Sequence, residues 1–115
     1  MNFKDLPTPH NLTEAVGILA NRMKESEVKA LLNIHPDVLH FGIGTAIRNA
    51  WGLWGNSVLA RWFNSKGIWH ADDMSAIILE SLKRELGNKP IDLDAQIKYY
   101  LEWWKKNKPQ GKYGV

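Results

Sequence analysis

The chain has 115 residues, a formal net charge of +3 and no cysteine. That length suffices to bury a core without a disulfide or structural metal, and the missing thiol excludes cysteine nucleophiles, iron–sulfur clusters and Cys-bound zinc. The charge is too small and too dispersed for a nucleic-acid footprint, its one dense basic group being Lys98, Lys105, Lys106, Lys108 and Lys112.

Residues 1–10 read as an N-terminal extension: they hold no apolar run, and Pro7 and Pro9 interrupt them, so no secretory signal is expected there. Asn11 reads as a helix cap, with Glu14 three residues on able to close a capping box. Val16, Leu19, Ala20 and Met23 follow at helical spacing. A second short helix starts near Ser26, carries Val28, Leu31 and Leu32, and must stop before Pro36, which suits the first turn of the next one. The third segment, from His40 to Gly55, holds four glycines in sixteen residues. Glycine weakens a helix interior, so this segment is either a closely packed helix or a helix with a loop at its entrance. Its stretch from Ile43 to Leu53 is the most apolar in the chain, but Arg48, Asn49 and Gly52 break it, and it falls short of the roughly 20 apolar residues that cross a bilayer.

Ser57 caps a fourth helix with Val58, Leu59, Trp62 and Phe63 inward, ended by Gly67. Asp72 or Asp73 caps a fifth, whose apolar stripe is Met74, Ile77, Ile78 and Leu82 and which Gly87 ends. Asp92 caps a sixth, carrying Ile97, Tyr100, Leu101 and Trp104. From Lys108 onward the composition predicts a flexible basic tail. The expected fold is all-α: one compact domain over residues 11–107, a bundle of five or six short helices with short connections, crossing at steep angles. Most of the six tryptophans are expected in its core, and the serines at helix caps or on the surface. The lack of cysteine, leader or membrane span predicts a cytoplasmic protein with no membrane partner.

Two segments could carry chemistry. On one helix, His40, Gly44, Arg48 and Trp51 would share a face, with Gly42, Thr45, Asn49 and Gly52 beside it. The glycines permit close approach, Arg48 offers a planar fork of donors for phosphate or carboxylate, Asn49 adds directional hydrogen bonds, and Trp51 and Trp54 add indole surface. The structural alternative is equally simple: tight helix packing, with Arg48 paired to Asp72 or Asp73. The second segment, His70-Ala71-Asp72-Asp73-Met74-Ser75, could supply metal ligands or an acid–base pair, but capping is the ordinary use of aspartate there. Tyr100 and Trp104 fall on one face of the last helix, Tyr99 and Trp103 on another. No P-loop, nucleophile elbow or H-E-x-x-H pattern occurs, and no cofactor is implied.

The stretch His40-Phe41-Gly42-Ile43-Gly44, with Ile47-Arg48-Asn49 and Gly52-Leu53-Trp54, resembles the H-F-G-L-G-x-x-I-R-N-x-x-G-L-W signature of a family of small bacterial and phage proteins of unknown function. Ile43 stands in place of the usual leucine. His70 to Leu79 resembles that family's second pattern, H-x-D-D-M-S-x-I-I-L. The resemblance spans roughly residues 11 to 104 and implies that the two motifs form one unit; it carries no activity.

The leading expectation is a non-enzymatic binding module that sequesters a small anionic or nucleotide-like ligand among His40, Gly42, Gly44, Arg48, Asn49, Trp51, Trp54, Asp72 and Asp73. Arg48 would take the phosphate, and Asn49 and an aspartate the base or ribose edges. The alternatives are a protein-interaction or inhibitor module using the aromatic, lysine-rich last helix, and a small hydrolase with His40 or an aspartate as base. A homodimer fits the tryptophan content, though no heptad seam demands one.

Overall fold

The computed structural model describes residues 2–107; the expected basic tail, 108–115, lies outside them. Helices α1 (Leu12–Arg22) and α2 (Glu25–Asn33) are followed by a continuous helical run, α3, over 36–50. That run joins an α turn (Pro36–Leu39), a π-helical stretch (His40–Gly44) and a second α segment (Thr45–Ala50). Helices α4 (Val58–Ser65), α5 (Ala71–Leu86) and α6 (Leu93–Asn107) complete the set, after an initial 3-10 turn at Phe3–Asp5. No strand forms among the described residues, and no helix among them is long and apolar enough to cross a membrane.

The helix starts follow local chemistry, with two departures. The Asn11 side chain accepts from the Glu14 N–H at 2.9 Å. Glu14, however, reaches past the cap to His10, accepting from its backbone N–H at 3.1 Å and contacting its imidazole at 2.8 Å. That hydrogen bond holds the Glu14 carboxyl below its ordinary range. The second departure is α5, which begins at Ala71 after His70 rather than at a capping aspartate. Asp72 and Asp73 both lie in its first turn, where carboxylates still meet the positive end of the helix dipole. Their side chains are engaged by residues of other segments, as described below.

The core gathers around α5. Met74, Ile77, Ile78 and Leu82 are buried as the spacing predicts, against Leu12, Ala15, Val16 and Leu19 of α1, Leu39 and Ile47 of α3, and Leu59 and Phe63 of α4. Leu6 and Pro9 are also buried, so the segment before α1 packs onto the bundle. Tryptophan behaves differently from expectation. Only Trp51 is fully buried among the described residues; Trp54, Trp69 and Trp103 are 64%, 39% and 43% exposed. These three sit in a turn, before α5 and on the outer face of α6, away from any core-facing stripe. Two serines are likewise interior: Ser75 and Ser81 are buried within α5.

Helix α6 packs on α5 through a few specific contacts. The Gln96 amide donates to the Ser81 hydroxyl at 3.1 Å and to the Ile91 carbonyl at 2.9 Å. Leu101 lies on Gly67, whose φ of +88° is costly for any residue with a Cβ. A Cβ there would stand 3.0 Å from Leu101 Cδ2. Gly67→Ala should therefore lower the unfolding free energy by about 1–2 kcal/mol, measured by urea denaturation, and a neutral result would contradict this account of the α4–α5 turn.

Candidate functional site

Arg48 is 3% exposed, and a guanidinium keeps its charge in any protein. Burying it requires a full set of acceptors. Its Nη1 donates to the Ser75 hydroxyl at 2.7 Å; its Nη2 donates to the Thr45 hydroxyl at 2.9 Å and to the His40 carbonyl at 3.2 Å. Ser75 in turn donates to the Asp72 carbonyl at 3.0 Å. The Asp72 carboxylate lies 3.4 Å from Arg48 Nε, an ion pair by distance whose N–H is not aligned for a hydrogen bond. The guanidinium thus ties the π-helical stretch of α3 to the first turn of α5.

The glycines and Trp54 fit around this cation. A Cβ on Gly44 would lie 2.9 Å from Arg48 Nη1, so that position must stay bare for the side chain to fold back along its own helix. A Cβ on Gly42 would meet nothing within 4 Å, and packing gives no reason for that glycine. The Trp54 ring covers the guanidinium from outside, 5.7 Å from Cζ to ring centroid, and its indole N–H donates to Asn49 at 3.2 Å. Trp51 is core, with an indole N–H that has no hydrogen-bond partner among the described residues.

The structure therefore brings His40, Gly44, Arg48, Asn49, Trp54 and Asp72 together, while Asp73 points elsewhere. Asp73 accepts from the Trp104 indole N–H at 2.8 Å, and the His70 ring stacks on Trp104 at 4.1 Å. Burial pushes the Asp73 carboxyl above its ordinary range, the Trp104 bond opposing it. Asp73 also joins burial in holding the Tyr100 phenol up at about 12. The two adjacent aspartates thus anchor different elements, α3 and α6, to the same turn of α5.

Between those elements lies a half-open groove of about 410 Å³. Leu39 and His40 of α3 line one side, Tyr99 and Tyr100 of α6 another, with Ala76, Leu79 and Lys83 from α5. Of the residues expected at the site from sequence, only His40 borders it. Ala76, Leu79 and Lys83 carried no distinguishing signal, because a groove between non-adjacent helices has no local sequence pattern. Among the described residues no three His, Asp or Glu side chains gather as a metal site.

A family model described as Domain of unknown function (DUF6794) matches residues 8–86, and the chain belongs to that family. The match takes in both motif segments and α1–α5 but ends before α6. No curated protein and no solved structure matches the chain.

Arg48→Ala should cost about 3 kcal/mol of stability, since it leaves buried acceptors unpaired and a void behind. Asp72→Asn should cost under about 1 kcal/mol, because that carboxylate is 56% exposed and screened by water. Equal losses in urea titrations of the two variants would refute the asymmetry. Asp73 yields a pH signature. A carboxyl whose folded pKa is raised binds its proton more tightly when folded, so its contribution to stability is fullest below the unfolded pKa and is lost as pH rises through the folded one. Asp73→Asn keeps an acceptor for Trp104 and cannot titrate. The stability of that variant relative to wild type should rise from about pH 3 to about pH 7; a flat difference would show that Asp73 is not perturbed.

Proposed function

Taking membership of this family as the premise, we propose that the protein is a non-enzymatic, cytoplasmic binding module that engages a partner protein through the groove between α3 and α6. The observation that carries this reading is the groove itself. It is open along one side, and its borders come from elements fixed to α5 by the Arg48 and Asp73 contacts. A site for a small molecule generally encloses most of its ligand; a half-open groove suits a segment of chain. The large side chains left in solvent support the same reading: Tyr99 on the groove and Trp103 on α6 are 60% and 43% exposed, and Phe41 beside His40 is 74% exposed. Aromatic residues of this kind are enriched where proteins meet. Hydrolysis draws no comparable support: the Ser75 hydroxyl is engaged by Arg48 and by a backbone carbonyl, and among the described residues no carboxylate or hydroxyl contacts the His40 ring.

A second reading, sequestration of a small anionic or nucleotide-like ligand, is favoured by one feature. The exposed Trp54 ring offers a stacking face beside the Arg48 cation and the reachable Asp72 carboxylate. Against it, three Arg48 hydrogen bonds already go to protein acceptors.

Peptides selected from a display library on the full chain separate the two. The expected outcome is binders that lose at least about tenfold in affinity on Ala76→Arg, which fills the groove, and are indifferent to Trp54→Ala, with both variants retaining cooperative melting. In a parallel thermal-shift screen, a nucleotide near 100 times its Kd adds about 2.7 kcal/mol. A nucleotide hit lost on Trp54→Ala but kept on Ala76→Arg would establish the second reading instead. A library that yields no Ala76-dependent binder would sink the first.

A further inference from the structure

We infer that the groove's partner is an acidic amphipathic helix that lies along α5, with apolar side chains beside Tyr99 and Tyr100 and carboxylates over Lys83 and Lys89. The inference rests on the protein-docking reading above and names the chemistry of its occupant.

A second open hollow, of about 550 Å³, shares Glu80, Lys83 and Arg84 with the groove and continues to Lys89 and Asp92 in the α5–α6 connection. The two hollows follow α5 from Ser75 to Arg84 and beyond, a span of about 14 Å at the rise of an α-helix. That length corresponds to between two and three helical turns of a partner, more than a single compact ligand fills.

Arg84 is paired to Glu80 at 2.7 Å and also donates to the Ile91 carbonyl at 3.1 Å. Asp92 accepts from the Ala95 N–H at 3.4 Å at the start of α6. Lys83 and Lys89 have no ion pair among the described residues. Glu80 is thus taken by Arg84 and Asp92 faces the start of α6, so the lining carries three cations against two carboxylates and both lysines are left to face whatever lies there. Surface pairs of this kind add little affinity but fix orientation and partner choice.

Leu39, Ala76 and Leu79 give the groove a hydrocarbon surface. The Tyr99 and Tyr100 hydroxyls have no hydrogen-bond partner among the described residues. Tyr100, with its phenol held up at about 12, stays a neutral donor across the physiological range. Leucine-type side chains with carboxylates at the next turn satisfy both ends. Helix α6 is itself a precedent, because it already lies on α5 as a helix anchored by spaced polar and aromatic side chains.

The test titrates two synthetic helix-forming peptides against the isotope-labelled full chain. They share leucine at every third or fourth position and differ only in flanking residues, glutamate in one and lysine in the other. The expected result is that the glutamate peptide shifts the amide signals of Ala76, Leu79 and Tyr99. It should bind more weakly at higher salt and lose on the order of tenfold on joint Lys83→Glu and Lys89→Glu substitution. Lys89 is exposed and Lys83 half-buried, and an unchanged melting temperature would certify the variant's fold. Equal binding of the two peptides at those amides would overturn the acidic partner and leave the docking groove standing. Failure of both peptides to shift those amides would overturn the inference, and the library selection above would then judge the groove by itself.

Discussion

A permanently charged guanidinium sits inside this domain, and the arrangement of its helices follows from the need to satisfy it. Arg48 is held by acceptors from two elements distant in sequence, His40 and Thr45 on its own helical run and Ser75 on α5. Moving α3 relative to α5 would strand a buried cation, which costs far more than the loss of any one neutral contact. The apolar packing of Ile47, Met74 and Ile78 tolerates many relative positions of two helices; the hydrogen-bond set tolerates few. The cation thus selects among packings that the core alone would leave near-degenerate.

The same requirement explains the local irregularities. Regular α-helical geometry is interrupted over His40–Gly44, where the turns widen. This stretch supplies both the carbonyl that Arg48 binds and the bare Gly44 that its Nη1 lies against. Ser75 occupies an interior position where an apolar residue would pack better, because its hydroxyl accepts from Arg48 while donating to the backbone. Asp72 does not cap α5; it stands beside the Arg48 Nε from the solvent side. Trp54 is exposed for a related reason, since its ring lies over the cation and its N–H is spent on Asn49.

These features differ in how far sequence could disclose them. The stripe Met74, Ile77, Ile78, Leu82 announces α5 because burial of one helical face leaves a period that any reader can detect. The pairing of Arg48 with Asp72 was legible as one of two choices, because the cation needs an acid and the chain offers two adjacent ones. Which aspartate it takes was not, since neighbours on a helix diverge by about 100° and only the placement of α3 and α6 decides. Ser81 could have been read as interior, for it falls one turn after Ile77 and Ile78 on the apolar stripe. The groove could not, because Leu39, Ala76 and Tyr99 meet only through tertiary packing.

The limits of the family match sharpen the role of α6. Residues 8–86 include the Arg48 network entire, from His40 to Ser75, but exclude the helix that supplies Tyr99 and Tyr100. The network therefore lies wholly within the matched residues, whereas one border of the groove comes from outside them. Helix α6 is attached through groups that lie within the matched residues of this chain: the Ser81 hydroxyl, the Asp73 carboxylate and the bare surface at Gly67. Helix α5 and the turn before it thus fix the position of α6. Beside it, between α6 and α3, the surface of α5 is left open.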